Sequence, residues 1–249
     1  MEIQNLDKLP ENARSVLAPY LKELVDTYGG DIVSIFAYGS VTGRDYNPKT
    51  SDINVAVVLN EVSLEKFKPM LKTVQKGIKR KITAPLFLSP SYIKMSLDTF
   101  PMEFMSMKGS SLVLYGDDVL SGITVDKADL RRECEYQLKG KLLTIRQAYL
   151  EQGLNHKALE RLLKASFRAL MPVLENVLRL KREDSIANNK EGILHQLGED
   201  FGVNVSSFIE ILRDKEADAK IGGRSIEAFL SDFLAQLEKL IEIVDNMQI

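Results

Sequence analysis

The feature that most restricts the fold of this 249-residue chain is a change of hydrophobic period about halfway along it. From Asp31 to about Tyr115 the apolar runs are short, rich in β-branched residues and separated by turn residues. That pattern predicts strands over Ile32–Tyr38, Ile53–Leu59, Ile82–Leu88 and Met102–Met107. Two helices accompany them. One starts near Pro10, spaces Val16, Leu17, Tyr20, Leu21, Leu24 and Val25 helically, and stops at Gly29–Gly30. The other follows Ser63, carries Phe67, Leu71, Val74 and Ile78 on one face, and should bend at Pro69. From about Asp126 the strand pattern ends. Helices are expected over Leu130–Leu150, Lys157–Leu180, Ile193–Phe201, Val205–Leu212 and Ile226–Met247, with breaks at Gly153, Asn188–Asn189, Gly202 and Gly222–Gly223. The expected fold is α+β: a small α/β domain over residues 1–120, then an all-helical bundle over 121–249.

Composition narrows the function classes. Lys and Arg number 33 against 35 Asp and Glu, so the net charge of −2 argues against a partner as acidic as a nucleic acid duplex. The apolar run Val55–Leu59 is far short of the roughly 18 residues of a membrane span, and Met1–Leu9 does not read as a secretory signal. With Cys134 as its one cysteine the chain can form no internal disulfide and no cysteine-cluster zinc site, and His156 and His195 alone do not make a histidine metal centre. A soluble, cytoplasmic protein is expected. Cys134 reads as an unreactive helix residue and His195 as a structural one among apolar neighbours.

The informative stretch is Ile35-Phe36-Ala37-Tyr38-Gly39-Ser40, followed after eleven residues by Asp52-Ile53-Asn54-Val55. An apolar strand runs straight into Gly-Ser. Glycine lets a backbone approach a ligand closely, and turn amides beside a hydroxyl suit phosphate oxygens. The intervening loop holds Arg44 and Lys49, both able to neutralise phosphate. Residues 52 and 54 lie on one face of the next strand, where acids could hold a pair of divalent cations about 3.5–4 Å apart.

Tyr38, Gly39, Ser40 and Asp52 together resemble the signature of the nucleotidyltransferase superfamily with the DNA polymerase β-like fold, especially its small bacterial, antibiotic-modifying branch. The likeness covers about residues 30–118, and several such relatives also carry a helical C-terminal domain. It implies a mixed sheet in the first domain. It also implies transfer of a nucleoside monophosphate from a nucleoside triphosphate such as ATP to a hydroxyl acceptor, with Mg²⁺ or Mn²⁺ as cofactor. Gly39 and Ser40, aided by Arg44 and Lys49, would hold the phosphates. Asp52, Asn54 and a third acid, for which Glu103 is the best candidate, would hold the metal, and Asp52 and Glu103 would carry the catalysis. The sequence departs from the family at Asn54, where a second acid is usual. A neutral amide brings no charge and bridges two cations poorly. Asp45 and Asp98 are weaker substitutes. A nucleotide-binding protein without turnover is therefore the alternative, and an interaction module docking another chain through its helices is a third reading. A homodimer is compatible with the sequence. Rows of cations at Arg132, Lys139 and Arg146, and at Arg161, Lys164 and Arg168, are read chiefly as solvated helix faces.

Overall fold

The computed structural model describes residues 2–43, 46–182, 185–187, 189–217 and 225–249. Arg44, Asp45, Asn188 and Gly222–Gly223 lie outside the described residues. The chain divides into two compact units, Met1–Val125 and Asp126–Ile249.

In the first unit, Pro10 precedes α1 (Glu11–Tyr28), which ends where Gly29 takes a positive φ of 48°. Strand β1 (Ile32–Tyr38) follows, then β2 (Asn54–Leu59). The Ser63 hydroxyl caps α2 (Leu64–Phe67) by accepting the Lys66 N–H, and a 3₁₀ turn containing Pro69 separates α2 from α3 (Leu71–Ile78). Next come β3 (Leu86–Leu88), α4 (Pro90–Met95), α5 (Pro101–Ser110) and β4 (Leu112–Gly116).

The sheet is mixed, in the order β3-β2-β1-β4. β1 is antiparallel to both β2 and β4, while β3 runs parallel to β2. Its central strands are buried on both sides, because side chains alternate between faces and helices cover each. Ile35, Val55, Val57 and Leu114 pack with Leu17, Leu21 and Leu24 of α1, whereas Phe36, Ala56 and Val58 pack with Ile93 of α4 and Phe104 and Met107 of α5. Each such large side chain contributes about 1.5–3 kcal/mol on burial. The outer edge of β4 is partly covered by the N-terminal segment: the Gln4 backbone N–H donates to Leu114 O at 2.8 Å and Asn5 Nδ2 to Val113 O at 2.8 Å.

Two strand expectations are corrected. Met102–Met107 is helical, because Pro101 opens α5 at its first turn and buries with Phe104 and Met107 at steps of three. The fourth strand is Leu112–Gly116 instead. The expected strand Ile82–Leu88 is ladder only over Leu86–Leu88, with one isolated parallel bridge from Ile53 to Ile82.

The second unit is helical: α6 (Lys127–Gln152), α7 (His156–Arg179), α8 (Lys190–Phe201), α9 (Ser206–Ala217) and α10 (Ile226–Asp245). Asp126, Asn155, Asn189 and Ser225 cap four of these by accepting backbone N–H groups of the first turn. The core includes a run of aromatic rings, Phe208 lying 6.4 Å from Phe167 and 5.1 Å from Phe233 between ring centres. Among the described residues no helix is long and apolar enough to cross a membrane.

Candidate functional site

The Gly-Ser turn falls where the both-face-buried β1 emerges from the core. Tyr38 is still extended and pairs with Asn54 across the ladder; Gly39 then turns at φ +77° into a 3₁₀ turn over Gly39–Thr42. Only glycine adopts that φ without strain. A side chain there would also meet Asn54, whose Nδ2 lies 3.1 Å from the place a Cβ would occupy. The turn is held from behind. Thr42 Oγ1 lies 2.7 Å from Gly39 O and 2.5 Å from Ser110 O, which ties it to the end of α5. The Tyr38 ring packs beside Phe36, 6.2 Å away between ring centres, and burial raises its hydroxyl pKa.

Opposite the turn, a short parallel strap aligns residues 81–83 with 53. Ile53 N–H donates to Lys81 O at 2.7 Å, and Thr83 N–H returns a bond to Ile53 O at 3.0 Å. The strap brings the Thr83 hydroxyl to Asn54, where Oγ1 donates to Oδ1 at 3.2 Å and also lies 3.3 Å from Ile53 O. The Asn54 amide is thereby oriented: its oxygen turns to Thr83, and its NH₂ group turns to Gly39. Among the described residues that NH₂ group has no hydrogen-bond acceptor. Lys81 adopts a positive φ of 65° and its ammonium donates to the carbonyls of Pro48 and Lys49, so the strap also holds the loop before Asp52.

The structure thus brings Gly39, with Ser40 next to it, against Asn54, and Asp52 lies two residues upstream of Asn54 in the chain. Asp52 is exposed, because it precedes the ladder rather than lying within it. Lys49 is exposed on the loop, with its backbone N–H bonded to Asn47 Oδ1. Glu103 is not brought in as expected. It lies exposed in the first turn of α5, while the turn at Gly39–Thr42 meets α5 at Ser110, about 10 Å further along that helix. Asp98 is exposed and accepts from its neighbour Thr99. Thr83 was not singled out in the sequence. A lone threonine after a basic run carries no motif, and only the parallel strap reveals it.

A pair of divalent cations needs several anionic oxygens converging on one point. Here the donor set does not fit one. Among the described residues Asp52 is the one candidate carboxylate next to Asn54 in the chain, the Asn54 oxygen already accepts from Thr83, and Glu103 lies in the first turn of α5, away from the end that meets the turn. Among the described residues no group of three or more His, Cys, Asp or Glu side chains is placed to hold a metal ion.

The helical unit offers no bare basic wall in the first row. Arg132 pairs with Asp129 at 2.7 Å, Lys139 with Glu135 and Asp245, and Arg146 with Glu238 at 2.7 Å. In the second row Lys164 pairs with Glu160 at 2.8 Å. His195 is corrected as well: its side chain is 59% exposed and faces Glu191, so it is not a core histidine.

No family model matches the sequence, and no curated protein sequence does either. Among solved structures the chain is similar to the spectinomycin adenyltransferase AAD(9) from Enterococcus faecialis, a nucleotidyltransferase solved with ATP and spectinomycin. The TM-score is 0.54 at 11% sequence identity, over 93% of this chain and 99% of that one. At that identity the likeness is one of fold: a nucleotidyltransferase-type mixed sheet followed by a helical region.

Proposed function

We propose that the turn after β1 receives the polyphosphate of a nucleoside triphosphate, ATP in the first instance, and that the chain transfers its nucleoside monophosphate to a hydroxyl of a small molecule. The observation that carries this reading is the Gly39 turn at φ +77° closed against Asn54, with Asp52 just upstream, at the strand end of a fold shared with an enzyme that takes ATP and spectinomycin.

In this reading Ser40 and the turn amides face phosphate oxygens, and Lys49 and Arg44 add charge from the loop. Mg²⁺ (or Mn²⁺) enters as part of the nucleotide substrate. The acceptor oxygen bonds to the α-phosphorus as the bond to the bridging oxygen breaks, pyrophosphate leaves with that electron pair, and the hydroxyl proton passes to a carboxylate. Asp52, just upstream of Asn54, takes that proton.

The test is pyrophosphate release from Mg-ATP in the presence of a panel of hydroxyl-rich small molecules, spectinomycin among them. Turnover with at least one acceptor, abolished in Asp52→Ala, is the expected result. Turnover undiminished in that variant overturns the role of Asp52. The oriented amide of Asn54 favours one second reading, nucleotide binding without turnover, and ATP binding with no release for any acceptor would select it.

A further inference from the structure

The mismatch between this donor set and a cation pair has a chemical consequence at Asn54. A carboxylate at that position would present two acceptors to the turn. The amide presents one acceptor and two N–H donors, and Thr83 takes the acceptor. What remains pointed at Gly39 is a donor, half-buried and without an acceptor among the described residues. A hydrogen bond from an amide N–H to a charged acceptor is stronger than one to water, and a phosphate oxygen is the acceptor that a Gly-Ser turn would bring within reach.

Resting on the nucleotide reading above, we propose that Asn54 binds a phosphate oxygen directly as a hydrogen-bond donor. Thr83 is the positioning residue that fixes the amide for this, and the site therefore holds the triphosphate without a protein-bound cation pair. Thr83 does so from a held backbone: its N–H donates to Ile53 O, and its hydroxyl lies between Ile53 O and Asn54 Oδ1. As observed, the Thr83 hydroxyl donates to Oδ1 and Nδ2 is left facing Gly39; valine at position 83 would remove that donor. The strap at residues 81–83 is thus a determinant of which ligand charge the turn accepts. With NH₂ inward it favours anionic oxygen, and a carboxylate in the same place would demand a metal ion between itself and the phosphate.

The experiment is calorimetric titration of ATP, and separately of inorganic tripolyphosphate, into the full chain, each in EDTA and in excess Mg²⁺. Wild type, Asn54→Asp, Thr83→Val and Thr83→Ser are compared, with far-UV circular dichroism confirming that each is folded. Wild type is expected to bind both probes with affinities that differ by less than about threefold between EDTA and Mg²⁺. Asn54→Asp should lose about tenfold or more in EDTA, the scale of one hydrogen bond to a charged group, and should recover when Mg²⁺ is supplied. Thr83→Val should weaken binding several-fold in both conditions, and Thr83→Ser, which keeps the hydroxyl, should restore it. Wild-type binding that falls more than about tenfold in EDTA overturns the proposal and leaves the nucleotide reading standing. So does equal metal-free binding by Asn54→Asp. No binding of ATP by wild type in either condition overturns both.

Discussion

Gly116 shows how a single backbone position can fix a sheet. It sits opposite Ser34 in the β1–β4 pairing at φ +77°, and a Cβ there would lie 2.2 Å from Val33 O. Both the conformation and the space forbid a side chain. Gly116→Ala is therefore expected to destabilise the first unit by more than about 2 kcal/mol, the left-handed strain and the backbone clash acting together. A chemical-denaturation midpoint that does not move would contradict this. Tyr20 is the opposite case. Its hydroxyl is buried without a hydrogen-bond partner among the described residues, and burial, with Tyr28 and Glu23 adding to it, pushes its pKa above the ordinary value. An unmade hydrogen bond of this kind costs about 1–3 kcal/mol, so Tyr20→Phe should be neutral or stabilising by up to about 1 kcal/mol. A loss of stability in that variant would mean that the hydroxyl has a partner, such as a buried water. At the same scale, the turn residues of the site were legible in the sequence, since Gly39, Ser40 and Asp52 carry a spacing. Thr83 and the orientation of Asn54 were not, because they depend on a contact between segments 29 residues apart.

The elements differ in how far sequence exposes them, and the reason is periodicity. Ile32–Tyr38 is readable as a strand because both its faces are buried, giving a continuous apolar run with a clear end at glycine. Pro101–Ser110 is not, since Met102, Phe104 and Met107 fit an alternating reading as well as a helical one over so short a run. Misreading it moved Glu103 onto a sheet it does not join. The long helices α6, α7 and α10 were recognisable from many turns of consistent spacing, but the partners of their charges were not. The junction of α7 and α8 carries one such pairing. Arg182, just past α7, donates through Nε and Nη2 to the two oxygens of Asp200, the latter at 2.9 Å. That hydrogen bonding holds the Asp200 pKa below its ordinary value. A carboxylate whose pKa is lower folded than unfolded contributes stability that is present above about pH 4, the unfolded value, and lost as pH falls through the folded one. Asp200→Asn should therefore lower the melting temperature by a few degrees, about 1–4 °C, at pH 7 and by a much smaller margin near pH 2.5. An equal loss at both pH values would show that packing, rather than charge, matters at that junction.

On the scale of the whole molecule, each of the two compact units has a buried core of its own, one built on the sheet and one on helices. A unit with its own core loses its structure as a unit, so damage confined to one should leave the other's protection largely intact. The chain carries a reporter for this. Cys134 is fully buried in α6, and burial, reinforced by Glu133, pushes its thiol pKa up to about 12. At pH 8 the native thiol is thus both inaccessible and protonated, and it reacts with a disulfide reagent only when the helical unit opens. Labelling of Cys134 as a function of denaturant gives the midpoint of the helical unit alone, whereas far-UV circular dichroism sums both units. In Gly116→Ala the dichroism curve should gain an early phase from the sheet unit while the Cys134 labelling midpoint stays at its wild-type value. If the labelling midpoint falls together with the dichroism, the two units unfold as one cooperative body. The strain at Gly116 is then felt over 249 residues rather than half of them.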